Sequence, residues 1–212
     1  MRDQVWAALA TVVDPELDRP LTELGFVRSV AIDGAAVEVH LRLPTSFCAP
    51  NFAWLMASDA YDAVADVPGV RHVVVELDDH HDSELINRGL AAGKGYRETF
   101  GHEALESLDE LRETFRRKAY VVAMERAITR LLPRNVAELT LADVPDGDPV
   151  FRHRAALGLS LDGSEPLLTD QYGGPPGPLE LRRARSVRIS VEGNAHFCRG
   201  LLATRYENEV LT

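Results

Sequence analysis

The sequence predicts an α+β protein, α/β-like in its first part, with a small α-β-β-α-β-α N-terminal domain that contains a mixed three-stranded sheet. A mainly helical C-terminal extension with some strand is expected to follow. Three observations lead to this fold class. Helical and strand-like hydrophobic periods alternate over the first hundred residues, Asp33-Gly34 separates two strand-like segments, and a long helical period follows Gly101. We therefore expect two domains, residues 1–100 and residues 101–212.

The N-terminal elements follow from the spacing of apolar residues and from turn signals. Apolar residues at helical spacing predict a helix over residues 5–13, and Asp14-Pro15 should end it. Residues 26–32 and 37–43 are predicted to form a hairpin around Asp33-Gly34, since apolar and polar residues alternate in its second strand. A helix over residues 51–67, a strand over 70–77 and a helix from Asp82 toward Ala92 complete the domain. A strand-helix-strand connection should make the second and third strands parallel.

The C-terminal region is dominated by helical spacing. Apolar residues predict one long helix from about residue 102 to 132, which Pro133 closes. Residues 136–148 are rich in turn signals, and the Gly-Pro-rich residues 172–178 are typical of a loop. Val187, Ile189 and Val191 alternate with polar residues, which predicts a strand. The nearby arginines at positions 182, 183, 185 and 188 are interpreted as a solvated strand face, in preference to a surface for an acidic partner.

Composition narrows the classes of function. The 212 residues are 45% hydrophobic and 26% charged, as in an ordinary globular protein. The net charge of −10 makes nucleic acid a poor partner, because the chain repels a polyphosphate. The sequence lacks an apolar run long enough for a membrane span, and its start does not resemble a signal peptide. Two cysteines cannot form a disulfide framework, so we expect a cytoplasmic protein.

The predicted topology brings three loops to one edge of the sheet. Strands two and three are parallel and end at that edge, and the antiparallel first strand begins there. The loops are residues 14–25, 44–51 and 78–82. Their candidate site residues are Asp14, Glu16, Thr45, Ser46, Cys48, Asp79, His80 and His81.

Four motifs in this region carry a family resemblance. They are Asp14-Pro15-Glu16, then Leu24-Gly25-Phe26-Val27, then the segment from Leu43 to Pro50 around Cys48, and then Val67-Pro68-Gly69-Val70. In this order and at these spacings, residues 3–77 resemble the SufT/PaaD-like iron–sulfur cluster assembly domain family. The resemblance implies a role in maturing metalloproteins, with Cys48 as the reactive cysteine after the Pro44-Thr45 turn and with Asp14 and Glu16 as the acidic motif. The extension after Gly101 departs from minimal members, and leaves the client protein open.

The chemistry of Cys48 can also be argued from the residues. A thiolate is the form that binds iron, and Cys48 lies just before a predicted helix, whose N-terminal N–H groups stabilise negative charge. One thiolate cannot hold a cluster that commonly takes four cysteines, so a cluster shared within a homodimer or a transient transfer are the available roles. Alternatively, Cys48 is a small buried apolar residue.

The other candidate residues each have a structural alternative. Asp79, His80 and His81 could join Cys48 as metal ligands, or they could form a solvated loop in which Asp82 caps the next helix. Asp14 and Glu16 could support the site or bind a partner, or simply follow the end of the first helix. His196 and Cys198 could share a metal in an extended segment but would diverge on a helix, and packing is the favoured interpretation.

These observations favour a maturation factor over an enzyme. The expected cargo is iron or an iron–sulfur cluster, bound transiently through Cys48. The expected partner is a client metalloprotein, such as a bacterial oxygenase, or another assembly factor. The alternative hypothesis is a protein-interaction scaffold without metal chemistry.

Overall fold

The computed structural model describes residues 1–101 and 108–206, and these residues form two compact units. The first unit comprises Met1–Leu108 together with the segment that begins at Ala195, and the second comprises Asp109–Asn194. The sequence places its boundary at residue 100, whereas the compact units change at Leu108, and the chain returns to the first unit at Ala195. In the described ranges, the helices are too short or too polar to cross a membrane.

The first unit contains the predicted α-β-β-α-β-α order and four short additional elements, β1, β2, α2 and α5, whose ranges follow. Its helices are α1 (Arg2–Leu9), α2 (Leu21–Leu24), α3 (Pro50–Ala65), α4 (Ser83–Ala91) and α5 (Tyr96–Phe100). Its strands are β1 (Val13–Asp14), β2 (Arg19–Pro20), β3 (Val27–Asp33), β4 (Ala36–Arg42) and β5 (His72–Asp78). The main sheet has the order β3-β4-β5, in which β3 and β4 are antiparallel and β4 and β5 are parallel. The predicted fold class and mixed three-stranded sheet are therefore confirmed.

The core of the first unit lies between the sheet and α3. Val37, Val39 and Leu41 alternate along β4 with more exposed residues and are at most 1% exposed, as a half-buried strand requires. Small residues on α3 face the same core at spacings of three and four. They are Ala53, Ala57, Ala60 and Val64. This packing fixes α3 over the sheet and thereby fixes the loop that joins β4 to α3.

The β3–β4 hairpin turns one residue later than predicted. Asp33 pairs with Ala36, so Gly34 and Ala35 are the two turn residues. Gly34 has a φ of +57°, and a two-residue hairpin that needs a positive φ at its first central position selects glycine there. The Asp33-Gly34 signal thus predicted the hairpin correctly but displaced its centre.

The first helix is shorter than predicted, because it ends at Leu9 and not at Asp14-Pro15. Val13–Asp14 instead pairs with Arg19–Pro20 in a two-residue antiparallel ladder. The Asp14 carboxylate accepts the N–H groups of Glu16 and Leu17 at 2.9 and 2.8 Å. This local capture of backbone donors stabilises a turn where hydrophobic spacing alone suggested helix.

The second unit is mainly helical, as predicted. Its main elements are α6 (Leu108–Leu131), α7 (Pro149–Ala156) and the part of α8 (Glu180–Tyr206) up to Asn194. Short 3₁₀ turns at Val136–Glu138 and Leu141–Asp143 lie in the turn-rich segment. The long predicted helix is present from Leu108, and its expected start at residues 102–107 lies outside the described residues.

The strand predicted at Val187, Ile189 and Val191 is wrong, because these residues lie in the middle of α8. Ala184, Val187 and Val191 recur at spacings of three and four and are buried or half-buried, whereas Ile189 is 58% exposed. An alternating triplet fits both a strand and a helix, and the helical stripe that includes Ala184 decides between them.

The arginine cluster on α8 is not a solvated face at every position. Glu125 of α6 is fully buried, and its carboxylate accepts hydrogen bonds from Arg188 and, at 3.2 Å, from Arg185. Thr129 donates a third bond to this carboxylate at 3.0 Å. Burial alone would raise the pKa of Glu125, but the bonds from Thr129, Arg188 and Arg185 outweigh it and hold the pKa below its ordinary value. Side chains of α6 and α8 therefore supply the hydrogen bonds that satisfy the buried Glu125 carboxylate.

Candidate functional site

The candidate site lies where β4 and β5 end side by side. Cys48 is in the loop between β4 and α3, and His80 lies two residues after the end of β5. His80 Nε2 lies 2.8 Å from the Cys48 carbonyl oxygen, and the His81 N–H donates to the Ser46 carbonyl at 2.9 Å. The parallel pairing of β4 and β5 thus brings the cysteine loop and the histidine loop together, as the predicted topology requires.

Cys48 is half-buried, in a turn that Thr45 organises. The Thr45 Oγ1 atom lies 3.5 Å from the Cys48 Sγ atom and accepts the N–H of Phe47 at 3.2 Å. Phe47 itself is 80% exposed, and its ring lies 5.8 Å from the ring of His81. The exposed Phe47 thus precedes a half-buried cysteine whose own side chain packs against the core of the first unit.

Both ring nitrogens of His80 make hydrogen bonds within the protein, so its role here is structural. It is 7% exposed, and its Nδ1 atom accepts the N–H of Asp82 at 3.1 Å. Its Nε2 atom must then carry the proton that it donates to the Cys48 carbonyl, which fixes the neutral tautomer. A metal ion at His80 would have to displace one of these two bonds.

The structure does not gather the predicted metal ligands into one closed site. Within residues 1–101 and 108–206, no group of three or more His, Cys, Asp and Glu side chains converges tightly enough to hold a metal ion. The Asp79 carboxylate instead lies 3.4 Å from the Tyr206 hydroxyl. Asp82 is at the N-cap of α4, but its side chain makes no capping hydrogen bond.

The end of α8 reaches this same edge, which sequence reasoning missed. Arg205 Nη1 donates to the Leu43 carbonyl at 3.0 Å, and Nη2 donates to the Ser46 hydroxyl at 2.7 Å and to the Asp79 carbonyl. One guanidinium therefore bridges the cysteine loop and the histidine loop. More than 120 residues separate Arg205 from all three partners, and no local pattern signals such a contact.

Cys198 lies on the same helix, two turns before Arg205. Burial, and after it the charges of the nearby Asp14, Cys48 and Glu16, together raise the pKa of the Cys198 thiol to about 11. The two predicted acids and Cys48 are thus close enough to Cys198 to act on its charge. His196 is exposed, and because the segment is helical the two side chains diverge, as expected for that case.

Comparison with known proteins agrees with the four sequence motifs. Residues 2–77 match the family described as iron–sulfur cluster assembly protein. The chain is also 31% identical over 90 residues to an uncharacterised protein of Methanocaldococcus jannaschii, and the alignment covers 93% of that protein and 42% of this chain. This chain belongs to the iron–sulfur cluster assembly protein family. The resemblance drawn from the motifs is confirmed at that level.

Other members that share this domain are much longer proteins. An iron–sulfur cluster carrier protein of Mycobacterium leprae is 39% identical over 85 residues, which are 40% of this chain and 22% of the relative. A protein of the same name from Deinococcus radiodurans is 37% identical over 77 residues, 36% of this chain and 21% of the relative. This chain therefore spans about a fifth of the length of these carrier proteins.

Only some residues of the candidate site lie inside the segment that matches the family. Asp14, Glu16, Thr45 and Cys48 lie inside residues 2–77, the part that the family description covers. Asp79, His80 and His81 follow directly after it, and Cys198 and Arg205 lie far beyond it. The end of α8 thus adds side chains to the edge of a family domain that does not itself encode them.

Proposed function

We propose that this chain is an iron–sulfur cluster assembly factor that holds iron or a cluster through Cys48 and passes it to a client metalloprotein. One observation carries the proposal. Cys48 lies inside the family segment, in a loop fixed by Thr45 and His80, and beside the exposed Phe47. The relatives named as iron–sulfur cluster carriers share this segment with the chain.

The cargo is bound transiently and is transferred rather than chemically converted, so the protein acts as a carrier and not as an enzyme. A single thiolate leaves most coordination positions of a cluster open, which suits release to a client or sharing with a second chain in a homodimer. Asp14 and Glu16 add negative charge that favours an iron cation at this edge. Asp79 and His81 are additional ligand candidates, and His81 is exposed beside Phe47.

A bacterial oxygenase is our proposed client, and another assembly factor could supply the cargo. We place this exchange in the cytoplasm, where the two free cysteines would stay reduced. Docking of either partner would use the exposed Phe47, because an exposed aromatic ring beside the transfer residue offers apolar contact area.

The same exposed Phe47 favours a second candidate function, a docking module without metal chemistry. In that case the aromatic side chain and the acidic surface bind a partner, and the Cys48 thiol is dispensable. The two functions make opposite demands on position 48.

Cluster transfer from the full chain tests the proposal. The protein is loaded anaerobically with ferrous iron and sulfide, and transfer to an apo-client oxygenase is read as recovered oxygenase activity. We expect Cys48→Ser to keep its melting temperature within a few degrees, because the half-buried loop tolerates a hydroxyl in place of the thiol. We expect the same variant to lose transfer, because the thiolate that binds iron is gone. Phe47→Ala is the matched variant at the neighbouring position. If Cys48→Ser supports full transfer and Phe47→Ala does not, the docking module is the correct function.

A further inference from the structure

The last three turns of α8 present one face to the first unit. Ala195, Cys198, Leu202 and Arg205 recur at spacings of three, four and three, so they share a side of the helix. Ala195 is 6% exposed and Leu202 is 8% exposed, and both belong to the same apolar cluster as the sheet. Cys198 also packs against this cluster, and so does Cys48.

This face is anchored at a defined position. Arg205 donates to Leu43 and Ser46, which precede Cys48 by five and two residues. Leu202 lies against Gly25, where an added Cβ atom would come within 3.3 Å of the Leu202 Cδ2 atom. Both contacts hold the end of α8 against the first unit, and Cys198 lies on the same helix face, about one turn before Leu202 and two turns before Arg205.

We propose that Cys198 is the second thiol of the Cys48 site, so that one chain offers two thiolates to a thiophilic metal ion or to one side of an iron–sulfur cluster. The inference rests on the proposed function and deepens it, because it names a ligand outside the family segment. When the metal binds, each thiol releases its proton to the solvent as its sulfur bonds to the metal, and no electrons are exchanged. A second protein chain supplies the remaining ligands, since clusters commonly take four thiolates.

The charges around Cys198 suit a cation. Asp14 and Glu16 both act on Cys198, and Asp14 is 8% exposed, so their negative charge is only partly screened by water. Arg205 is the basic side chain that binds both loops, and its guanidinium is engaged by two carbonyl oxygens and a hydroxyl. A bound metal cation would be attracted by the two acids and coordinated by two soft sulfur atoms, which are the ligands that thiophilic metals prefer.

Cadmium titration of the full chain tests this pair. The sulfur-to-cadmium absorption measures thiolate coordination, and competition with a chelator measures affinity. We expect Cys48→Ser and Cys198→Ser each to weaken Cd²⁺ binding by at least about tenfold, since even the loss of a residue that only supports a metal ligand costs that much. Ala203→Ser, which places the same hydroxyl at an exposed position of the same helix, should bind as the unchanged protein does. Unchanged affinity in Cys198→Ser would overturn the proposal.

A measurement on the unchanged protein covers the case in which Cys198→Ser fails to fold. Both cysteines are alkylated in the presence of increasing Cd²⁺, and each is followed by mass spectrometry. Parallel protection of Cys48 and Cys198 with one midpoint supports a shared site, and protection of Cys48 alone overturns it. Loss of cluster transfer in Cys48→Ser together with unchanged Cd²⁺ binding in Cys198→Ser would retain the proposed function and reject the second thiol.

Discussion

The two cysteines differ in how their side chains are surrounded. Cys48 lies in a loop next to the Thr45 hydroxyl, whereas Cys198 lies on a helix face that packs on the core and is surrounded by acidic groups. The thiolate is the nucleophile of cysteine chemistry, so these surroundings should separate the two residues in their reactivity.

Alkylation should therefore be selective and should depend on pH. With a pKa of about 11, Cys198 is a thiolate in only about one molecule in a thousand at pH 8, and its alkylation rate should rise about tenfold per pH unit from there. We expect iodoacetamide to modify Cys48 first, as peptide mass spectrometry would show. Equal rates for the two cysteines at pH 8 would contradict the surroundings described for Cys198.

Glu125 offers a stability test at a single residue of the second unit. Glu125→Gln removes a fully buried charge and leaves Arg185 and Arg188 facing a neutral amide, which should cost about 2 kcal/mol of unfolding free energy. Glu192→Gln is the control, because the Glu192 side chain is 44% exposed and its ion pairs should be worth less than about 1 kcal/mol. Chemical denaturation of both variants makes the comparison.

The contribution of Glu125 should also depend on pH. Its pKa is lowered in the folded state, so its charge stabilises the fold above the unfolded value of about 4.3. That stabilisation is lost as the pH falls through the lower folded pKa. The difference between the unchanged protein and Glu125→Gln should therefore be largest near neutral pH and shrink toward pH 3. A constant difference across this range would exclude the charge as its source.

At the level of elements, substitutions at two glycines distinguish the cost of backbone strain from the cost of disturbed packing. Gly25 follows α2 with a φ of +75°, and Gly34 turns the hairpin with a φ of +57°. An added Cβ atom at Gly25 would press on Leu202 of α8, whereas at Gly34 it would meet no atom within 4 Å. The two positions thus share the conformational penalty and differ in the contact with α8.

We expect Gly34→Ala to cost about 1 kcal/mol, the penalty of a left-handed conformation for a residue with a side chain. Gly25→Ala should cost about 1 kcal/mol more, because Leu202 must also shift. Thermal and urea unfolding of the two variants measure the difference. The double variant Gly25→Ala/Leu202→Ala should lose less unfolding free energy in total than the sum of the losses in the two single variants. Strict additivity would show that the helix end does not press on Gly25.

At the scale of the whole molecule, the chain returns to its first unit at Ala195, and the contacts of Arg205 there hold the loops of the candidate site. Arg205 closes a span of 162 residues when it donates to Leu43, and it also binds Ser46 and Asp79. Tyr206 follows with its ring 4.8 Å from the Arg42 guanidinium carbon. A segment far from the family domain thus determines how two loops of that domain are held.

Arg205→Gln should loosen both loops at once. It removes the bridge between Ser46 and Asp79, so the hydrogen bond from the His81 N–H to the Ser46 carbonyl should open more often. We expect amide hydrogen exchange at His81 to accelerate at least about tenfold, the equivalent of losing about 1.4 kcal/mol of local stability. Arg199→Gln, at an exposed position of the same helix, should leave that rate unchanged. Equal exchange in both variants would mean that Arg205 does not organise the site.

Local patterns in the sequence predict most of the helices and strands of the first unit. The alternation in β4, the glycine of the hairpin and the apolar stripe of α3 are short-range signals, because backbone sterics and side-chain direction repeat within a few residues. The parallel pairing of β4 and β5 then follows from chain connectivity, and it brings Cys48 and His80 to one edge. The family motifs are likewise short runs of neighbouring residues, so the sequence alone is enough to recognise them.

Only the tertiary structure decides the parts that depend on distant or ambiguous contacts. The triplet around Ile189 fits a strand as well as a helix, and burial of Ala184, Val187 and Val191 on one side makes it helical. Asp14 follows a helical period, yet its carboxylate captures two N–H groups and forms a turn. Arg205 reaches the loops of the candidate site because the α8 face that includes Cys198 packs against the core of the first unit, and no local period in the sequence encodes that packing.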